Sequence, residues 1–208
     1  MQSRNPIFWE VDTQADFMLP GGNLYVPGAE KTIPNLKRLV DAVRQGRVLL
    51  LSDEDWHTPN DPEFKTFPPH CVRDTPGARI VPEGLANSYF VVPNDPAFKL
   101  PDDLFRHQQI VIQKQTLNVF DNPLATEIVN RLPADAEFFV FGVVTEYCVR
   151  LAAKGLLERG RKVSVVTDAI ETLNAEHGRH TIGELKSLGA RFVTTDEALA
   201  ALESVPAR

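Results

Sequence analysis

The fold of this chain is decided by residues 137–157, which read EFFVFGVVTEYCVRLAAKGLL. Residues 138–141 form an apolar run that is too short for anything but a buried strand, and Gly142 ends it. Thr145 then stands at a favourable N-cap position, and apolar residues follow it at helical spacing. This stretch therefore predicts a strand, a tight turn and a helix whose first turn carries Cys148.

Cys148 is a candidate nucleophile because of this predicted position. Unpaired backbone N–H groups and the positive end of the helix dipole both favour a thiolate at the start of a helix. The same N–H groups would stabilise the negative charge on a carbonyl oxygen attacked by the sulfur. The competing interpretation is a cysteine that only packs the helix against the sheet, since free cysteines are often buried.

Largely apolar strands alternate with helices along the rest of the chain. The predicted strands cover residues 7–11, 48–51, 109–112, 138–141, 162–166 and 191–194, and the other predicted helices cover residues 32–45, 124–132, 175–188 and 196–202. This alternation predicts an α/β fold, a three-layer α/β/α sandwich around a mainly parallel six-stranded sheet. Residues 56–101 are proline-rich and are predicted to form a long irregular region. Residues 89–92 within it are a candidate for one further short strand. Connections this long are usually functional, so we interpret this region as a metal and cap region.

Composition restricts the functional class. The 208 residues carry a formal net charge of -6 without a basic stripe, which argues against nucleic acid as a partner. Two cysteines, Cys71 and Cys148, argue against a disulfide framework and favour a reducing, cytoplasmic location. We expect neither a signal peptide nor a membrane span. Residues 1–208 suit a single domain, and a homo-oligomer stays open.

Reactive side chains follow the carboxyl ends of the predicted strands. In a parallel sheet these ends meet at one edge, where ligands bind. The residues at this edge are Asp12, Asp55, His57, Lys114, Cys148 and Asp168. Taken singly, each is more often a turn residue or a solvated strand end. Together, a carboxylate, an amine, a thiol and metal ligands at one edge exceed what composition predicts.

Two further side chains, Glu63 and His70, lie in the proline-rich loop that follows Asp55 and His57. Asp55 and His57 point to the same side of an extended segment, because alternate residues share a face. This mixed set of oxygen and nitrogen ligands suits zinc, manganese or iron(II) with waters in open positions. The competing interpretation is an acidic, solvated loop with incidental histidines. We expect the remaining histidines at the surface, namely His107, His177 and His180.

The order of these residues resembles the isochorismatase-like cysteine hydrolase family and, within it, the nicotinamidases. The resembling segments span nearly the whole chain and read DTQADF from residue 12, DWH from residue 55, FPPHC from residue 67, K and F at residues 114 and 120, and GVVTEYCV from residue 142. The corresponding family patterns are D-x-Q-x-D-F, D-x-H, aromatic-P-P-H-C, K-x5-F and G-x-x-T-[DE]-x-C-V. No single pattern is specific, but their combination in this order is.

The resemblance implies the catalytic roles. Asp12 would be the general base, Lys114 the cation beside it, and Cys148 the nucleophile. The backbone N–H groups of Val144 and Cys148 would form the oxyanion hole. A non-proline cis peptide bond would join Val143 to Val144.

The resemblance also implies the ligand sets. One divalent metal ion, zinc first with manganese or iron as alternatives, would be held by Asp55, His57, Glu63 and His70. The small-molecule amide substrate would be bound by Phe17, Phe67, Val144 and Tyr147.

The function implied by the resemblance is hydrolysis of nicotinamide to nicotinate and ammonia through a thioester on Cys148, as part of NAD salvage. Three alternatives stay open. The first is a hydrolase of another small amide or ureide, or an isochorismatase, although an isochorismatase would not need Cys148. The second is a non-catalytic binding protein of this fold. The third is a redox role for Cys148 with Cys71 as the resolving thiol.

Overall fold

The computed structural model describes residues 5–203 and has one parallel sheet at its centre. The strands are β1 Pro6–Val11, β2 Leu49–Asp55, β3 Tyr89–Val92, β4 Gln109–Lys114, β5 Glu137–Gly142, β6 Lys162–Ile170 and β7 Arg191–Val193. They lie in the order β3-β4-β2-β1-β5-β6-β7, and every neighbouring pair is parallel. The predicted α/β sandwich is confirmed, but the predicted six-stranded sheet is wrong by one strand.

The additional strand is β3, which pairs with β4 at the edge of the sheet. Its side chains are only partly covered, since Tyr89 and Val91 are exposed and Val92 is buried. A short, half-solvated run among prolines carries a weak local signal. Hydrogen bonds to β4, which the local sequence does not reveal, make it a strand.

The helices complete three layers. They are α1 Ala15–Met18, α2 Ile33–Arg44, α3 Pro123–Arg131, α4 Arg150–Glu158, α5 Ala175–Ser187 and α6 Thr195–Ala200. The buried side chains of α3, α4 and α5 pack on one face of the sheet, and those of α2 and α6 pack on the other. Within residues 5–203 we find no helix with the length and apolarity needed to cross a bilayer.

Strand β2 runs through acidic residues that were predicted to follow it. Its last three residues are Asp53, Glu54 and Asp55, and all three are buried. Trp9 Nε1 donates to Asp53 at 2.7 Å, and Gln113 Nε2 donates to Glu54 at 3.0 Å. Neighbouring strands therefore supply the partners that a buried carboxylate needs, which allows the strand to continue.

The order of the strands creates a crevice at one edge of the sheet. The chain passes from β1 to β2 on one side and later returns to pair β5 with the other side of β1. At such a reversal the flanking connections diverge, and a cleft opens beyond the carboxyl ends of the strands. Asp12 follows β1 at this point, and Val143 follows β5.

Candidate active site

Three side chains from separate strand ends meet in this crevice. Lys114 Nζ lies 2.9 Å from Asp12 Oδ2 and 3.7 Å from Cys148 Sγ. Asp12 and Lys114 are 1% exposed, and Cys148 is 5% exposed. The second oxygen of Asp12, Oδ1, has no hydrogen-bond partner within residues 5–203. An acid, an amine and a thiol therefore lie close together in a buried site.

Lys114 also forms an ion pair with Asp55. The two residues are direct neighbours in the pairing of β2 with β4. Burial lowers the pKa of Lys114, but the carboxylates of Asp12 and Asp55 outweigh burial and raise it well above its usual value. Burial raises the pKa of Asp55, but Lys114 and the two neighbouring imidazoles, His57 and His70, outweigh it and lower that pKa well below its usual value. Lys114 is therefore a permanent cation shared by two carboxylates.

Burial and the neighbouring carboxylates disfavour the thiolate form of Cys148. Burial raises its pKa well above the usual value, the ammonium of Lys114 opposes this, and the carboxylates of Asp12 and Asp55 add to it. Burial likewise raises the pKa of Asp12, against the opposing charge of Lys114. The expectation of a stabilised thiolate considered only the helix terminus and omitted desolvation and the neighbouring carboxylates. A base must therefore remove the thiol proton as the sulfur attacks.

Cys148 lies in a π-helical turn, Thr145–Val149, that runs directly into α4. Thr145 does not cap this turn as predicted; its Oγ1 instead donates to the carbonyl of Glu171 at 2.7 Å. The predicted cis peptide bond between Val143 and Val144 is present. The N–H of Val144 donates to no acceptor in the part of the chain that the structure describes, so it is free to face a ligand.

The four sequence-predicted metal ligands come together beside this triad. One ligand atom from each of Asp55, His57, Glu63 and His70 lies within 4.8 Å of the others. His57 Nε2 and His70 Nε2 each lie 3.6 Å from Asp55 Oδ2, and Glu63 Oε1 lies 3.9 Å from His70 Nε2. These separations are too long for hydrogen bonds and suit atoms arranged around a common centre.

Unpaired polar atoms indicate that a cation fits this group. His57 Nε2 and Glu63 Oε1 are buried without a hydrogen-bond partner among the described residues. Buried polar atoms are normally satisfied, so such orphans call for a ligand or an ion. Among residues 5–203, the buried carboxylates of Asp12, Asp53 and Asp55 also outnumber the ammonium of Lys114 beside them. A divalent ion would satisfy the orphaned atoms and balance the charge.

Asp61 was not predicted from the sequence and lies directly behind one of the predicted metal ligands, His57. Its Oδ2 lies 3.2 Å from His57 Nδ1, and its Oδ1 accepts from the backbone N–H of Glu63 at 3.0 Å. His70 is oriented similarly, because its Nδ1 lies 2.8 Å from the carbonyl of Pro68. A carboxylate or carbonyl behind a ligating imidazole orients the ring and selects its tautomer. The spacing of Asp61 four residues after His57 was the available signal.

A cleft runs between the triad and the predicted metal ligands and is lined by Asp12 and Cys148 on one side and by Asp55, Glu63 and His70 on the other. The four residues predicted to contact substrate all line it, namely Phe17, Phe67, Val144 and Tyr147. Four further apolar residues that sequence analysis missed also line it, namely Leu24, Leu117, Val143 and Leu173. The lining combines a few polar side chains with apolar ones, which is typical of a small-molecule site.

Two polar residues near Asp12 hold the loops of this site in place. Gln14 accepts from the backbone N–H of Asp55 at 2.8 Å and donates to its carbonyl at 2.7 Å. The carboxylate of Asp16 accepts from the backbone N–H of Cys71 at 2.8 Å, next to His70. The DTQADF segment therefore carries Asp12 and also clamps two backbone segments that bear metal ligands.

The remaining predicted residues lie away from the cleft. Asp168 is exposed within β6, where it accepts from Thr195 at the start of α6, so its assignment to the site was wrong. The ring of Phe120 packs under the guanidinium of Arg159 at 3.8 Å and beside Trp9, which is a structural role. His177 and His180 are exposed as predicted, whereas His107 is half-buried and lies 3.1 Å from Ser88 Oγ.

Comparison with known proteins identifies relatives of the whole chain. The isochorismatase domain family matches residues 10–95 and 86–197. A nicotinamidase of Escherichia coli (strain K12) is 27% identical, over 88% of this chain and 92% of that protein. The crystal structure of a pyrazinamidase of Pyrococcus horikoshii in complex with zinc is 28% identical with a TM-score of 0.72, over 91% of this chain and 99% of that one. An isochorismatase-like hydrolase from Alkaliphilus metalliredigens shares the fold, with a TM-score of 0.73 at 23% identity over 94% and 98% of the two chains.

Proposed function

This chain belongs to the isochorismatase domain family and is a hydrolase close to the nicotinamidases, and from this we propose that it is a metal-dependent cysteine amidohydrolase that converts nicotinamide to nicotinate and ammonia. The observation that supports this most is the contact of Asp12, Lys114 and Cys148 beside a metal-ligand group in one cleft. The names of its relatives, a nicotinamidase and a zinc-bound pyrazinamidase, agree with this choice of substrate class.

In the proposed reaction Asp12 takes the proton from the thiol of Cys148 as the sulfur attacks the amide carbon. The raised pKa of Asp12 makes it a stronger base than an exposed carboxylate. The positive charge of Lys114 balances the negative charge that Asp12 and Cys148 share while the proton moves between them. The raised pKa of Cys148 favours the thiol form, so removal of its proton by Asp12 accompanies the attack of the sulfur.

The oxyanion that forms on the amide oxygen would be held by the backbone N–H groups of Val144 and Cys148. The N–H of Val144 is free of other acceptors within residues 5–203. Loss of one such donor typically costs about 3 kcal/mol of barrier. Asp12 then gives its proton to the leaving nitrogen, the C–N bond breaks, and ammonia departs to leave a thioester on Cys148.

The thioester would be hydrolysed by water in a second step. Asp12 takes a proton from the water as its oxygen attacks the thioester carbon, the C–S bond breaks, and the proton passes from Asp12 to the sulfur of Cys148. The products are the carboxylic acid and the regenerated thiol. Asp12 accepts one proton in each step and donates it again in the same step, so the catalytic cycle balances.

The substrate ring would lie between the apolar walls of the cleft, with Phe17 and Phe67 on its faces. A divalent ion on Asp55, His57, Glu63 and His70 would supply a Lewis acid that binds the ring nitrogen and fixes the ring with its amide toward Cys148. Zinc suits this mixed donor set, and manganese or iron would also do so.

Ammonia release from a panel of small amides and ureides tests this proposal. The panel should contain nicotinamide, pyrazinamide, benzamide and N-carbamoyl amino acids, each assayed with protein as isolated, after chelation, and after zinc is added back. We expect release from nicotinamide and pyrazinamide, loss after chelation and recovery with zinc. Release from the ureides alone would assign another substrate class, and release from no amide by zinc-loaded protein would overturn the proposal.

A further inference from the structure

The loop of residues 171–174, between β6 and α5, forms one side of the mouth of the cleft. Leu173 lines the cleft together with Tyr147 and Cys148. The same side chain is 42% exposed, so it stands where the cleft meets solvent. An exposed leucine is unremarkable by itself. Leu173 matters because it lies in the same cleft as Cys148, where it can limit the size of a ligand.

The loop is tied on both sides of Leu173 to the turn that carries Cys148. The backbone N–H and Oγ1 of Thr145 donate to the carbonyl of Glu171 at 2.8 Å and 2.7 Å. On the other side, the carboxylate of Glu146 accepts from Thr172 Oγ1 at 2.5 Å and from the backbone N–H of Asn174 at 2.8 Å. Glu146 is 8% exposed, so these charge-assisted bonds are shielded from water.

Helix α5 supports the loop from behind. A Cβ on Gly178 would lie 2.7 Å from Thr172 Oγ1, so the helix backbone packs directly on the loop. The side chain of Asn174 caps the same helix by accepting from the N–H groups of Glu176 and His177. The loop cannot swing outward without breaking these bonds. Leu173 therefore lies on a loop that is anchored by hydrogen bonds on both sides of it.

We propose that Leu173, held in place through Thr172 and Glu146, is a specificity-determining residue that sets the largest amide able to reach Cys148. This inference rests on the proposed function and narrows its substrate class to single-ring aromatic carboxamides. A second ring that extended an amide from Cys148 toward the mouth of the cleft would meet the Leu173 side chain, which lines the cleft there. Each extra carbon accommodated or refused by an apolar pocket is worth about 10–200-fold in kcat/KM, so one leucine suffices for strong selection.

The test compares nicotinamide with quinoline-3-carboxamide, which adds one fused ring to the same pyridine carboxamide. The measured quantity is the ratio of their kcat/KM values in zinc-loaded protein. We expect Leu173→Ala to raise the ratio of the larger amide to the smaller by about tenfold or more, and Leu173→Phe to lower it. Leu188→Ala is the matched control, because Leu188 is 46% exposed at the end of α5 and does not line the cleft.

Thr172→Val tests whether the loop anchor positions Leu173. It removes the hydroxyl that donates to Glu146 while leaving the cleft lining intact. We expect the kcat/KM ratio of the larger amide to the smaller to rise in the direction of Leu173→Ala, and Thr172→Ser to restore the parent ratio. A parent-like ratio in Thr172→Val would show that this hydroxyl does not position Leu173.

An unchanged ratio in Leu173→Ala and Leu173→Phe, in proteins that hydrolyse nicotinamide, would overturn this inference and leave the proposed function standing. Absence of hydrolysis of any amide by the parent protein would instead reject the proposed function.

Discussion

The ammonium group of Lys114 lies 2.9 Å from the carboxylate of Asp12, and both side chains are 1% exposed. The same ammonium contacts Asp55, the first of the proposed metal ligands along the chain. One buried cation therefore joins the proposed general base to the proposed metal group. Any change at this position must affect both halves of the site.

Lys114→Met should destabilise the fold as well as abolish activity. The variant keeps the length of the side chain but leaves Asp12 and Asp55 buried without their cation. Breaking a buried ion pair in this way costs about 3–5 kcal/mol of unfolding free energy, measurable by urea denaturation. Lys37→Met is the control, because the Lys37–Asp41 pair is exposed and should cost about 1 kcal/mol or less. Equal losses in both variants would contradict the prediction.

Cys148→Ala should reduce ammonia release by about a thousandfold or more, because the nucleophile is gone. Its zinc content, measured by mass spectrometry of the metal, should equal that of the parent. Cys71→Ala should retain turnover, since Cys71 is completely buried and serves no step of the proposed reaction. Ammonia release at the parent rate by Cys148→Ala would show the mechanism to be wrong, and a requirement for Cys71 would favour the redox alternative.

Asp61→Asn should weaken zinc binding by about 10–100-fold, the usual effect of losing a carboxylate behind a ligating histidine. Isothermal titration of metal-free protein with zinc measures this directly, independent of activity. The substitution keeps the shape of the side chain, including the oxygen that accepts from the N–H of Glu63. His177→Ala is the control, because His177 is exposed on α5. Unaltered zinc affinity in Asp61→Asn would mean that Asp61 does not support His57.

Glu10 should make the protein less stable as pH rises through neutrality. Burial raises its pKa from 4.5 to about 7, although Thr13, Ser52 and Gln109 donate to it. Below pH 4.5 the carboxyl is protonated in both states and its stabilising contribution is complete. Between that value and about pH 7 the unfolded chain loses the proton more readily, so this contribution is lost as pH rises through about 7.

Glu10→Gln isolates that effect. The difference in unfolding free energy between pH 5 and pH 8 should shift by about 2–3 kcal/mol relative to the parent, because the titrating group is absent. Urea denaturation at the two pH values gives the four free energies required. The exposed Glu158→Gln serves as the control and should leave the difference unchanged. A parent-like difference in Glu10→Gln would show that Glu10 does not titrate in this range.

Gly155→Ala and Gly183→Ala should have opposite effects on stability although both lie in helices. A Cβ at Gly155 would overlap the ring of Phe120, which Arg159 and Trp9 hold in place. Overpacking of this kind costs about 1–3 kcal/mol. A Cβ at Gly183 would meet nothing within 4 Å, so alanine there should stabilise α5 by about 0.5–1 kcal/mol. Thermal or urea unfolding measures the stability of the two variants relative to the parent. A Gly155→Ala variant more stable than the parent would refute the packing argument.

Much of this site could be predicted because a parallel sheet converts sequence position into spatial position. Asp12, Asp55, Lys114 and Cys148 each lie at or just beyond the end of a strand, and such ends share one edge. His70 and Glu63 were predicted as metal ligands from their residue types and their place in the proline-rich loop, since imidazoles and carboxylates are common metal ligands. Asp168 satisfied the same rule and was nevertheless wrong, because β6 extends past it and its carboxylate accepts hydrogen bonds from Thr195 at the start of α6, away from the cleft.

The sequence by itself determined the alternation of apolar strands and helices, and hence the sheet and the edge that carries the reactive side chains, because periodicity is a local property. Only the tertiary structure decided which residues touch. The pairing of β3 with β4 and the anchoring of the Leu173 loop by Glu146 join segments that lie far apart in the chain. Asp61 is near His57 in sequence, but only the folded loop brings its carboxylate to 3.2 Å from the imidazole. The raised pKa of Cys148 could not be predicted from the sequence either, because desolvation depends on all the groups that surround the thiol in space.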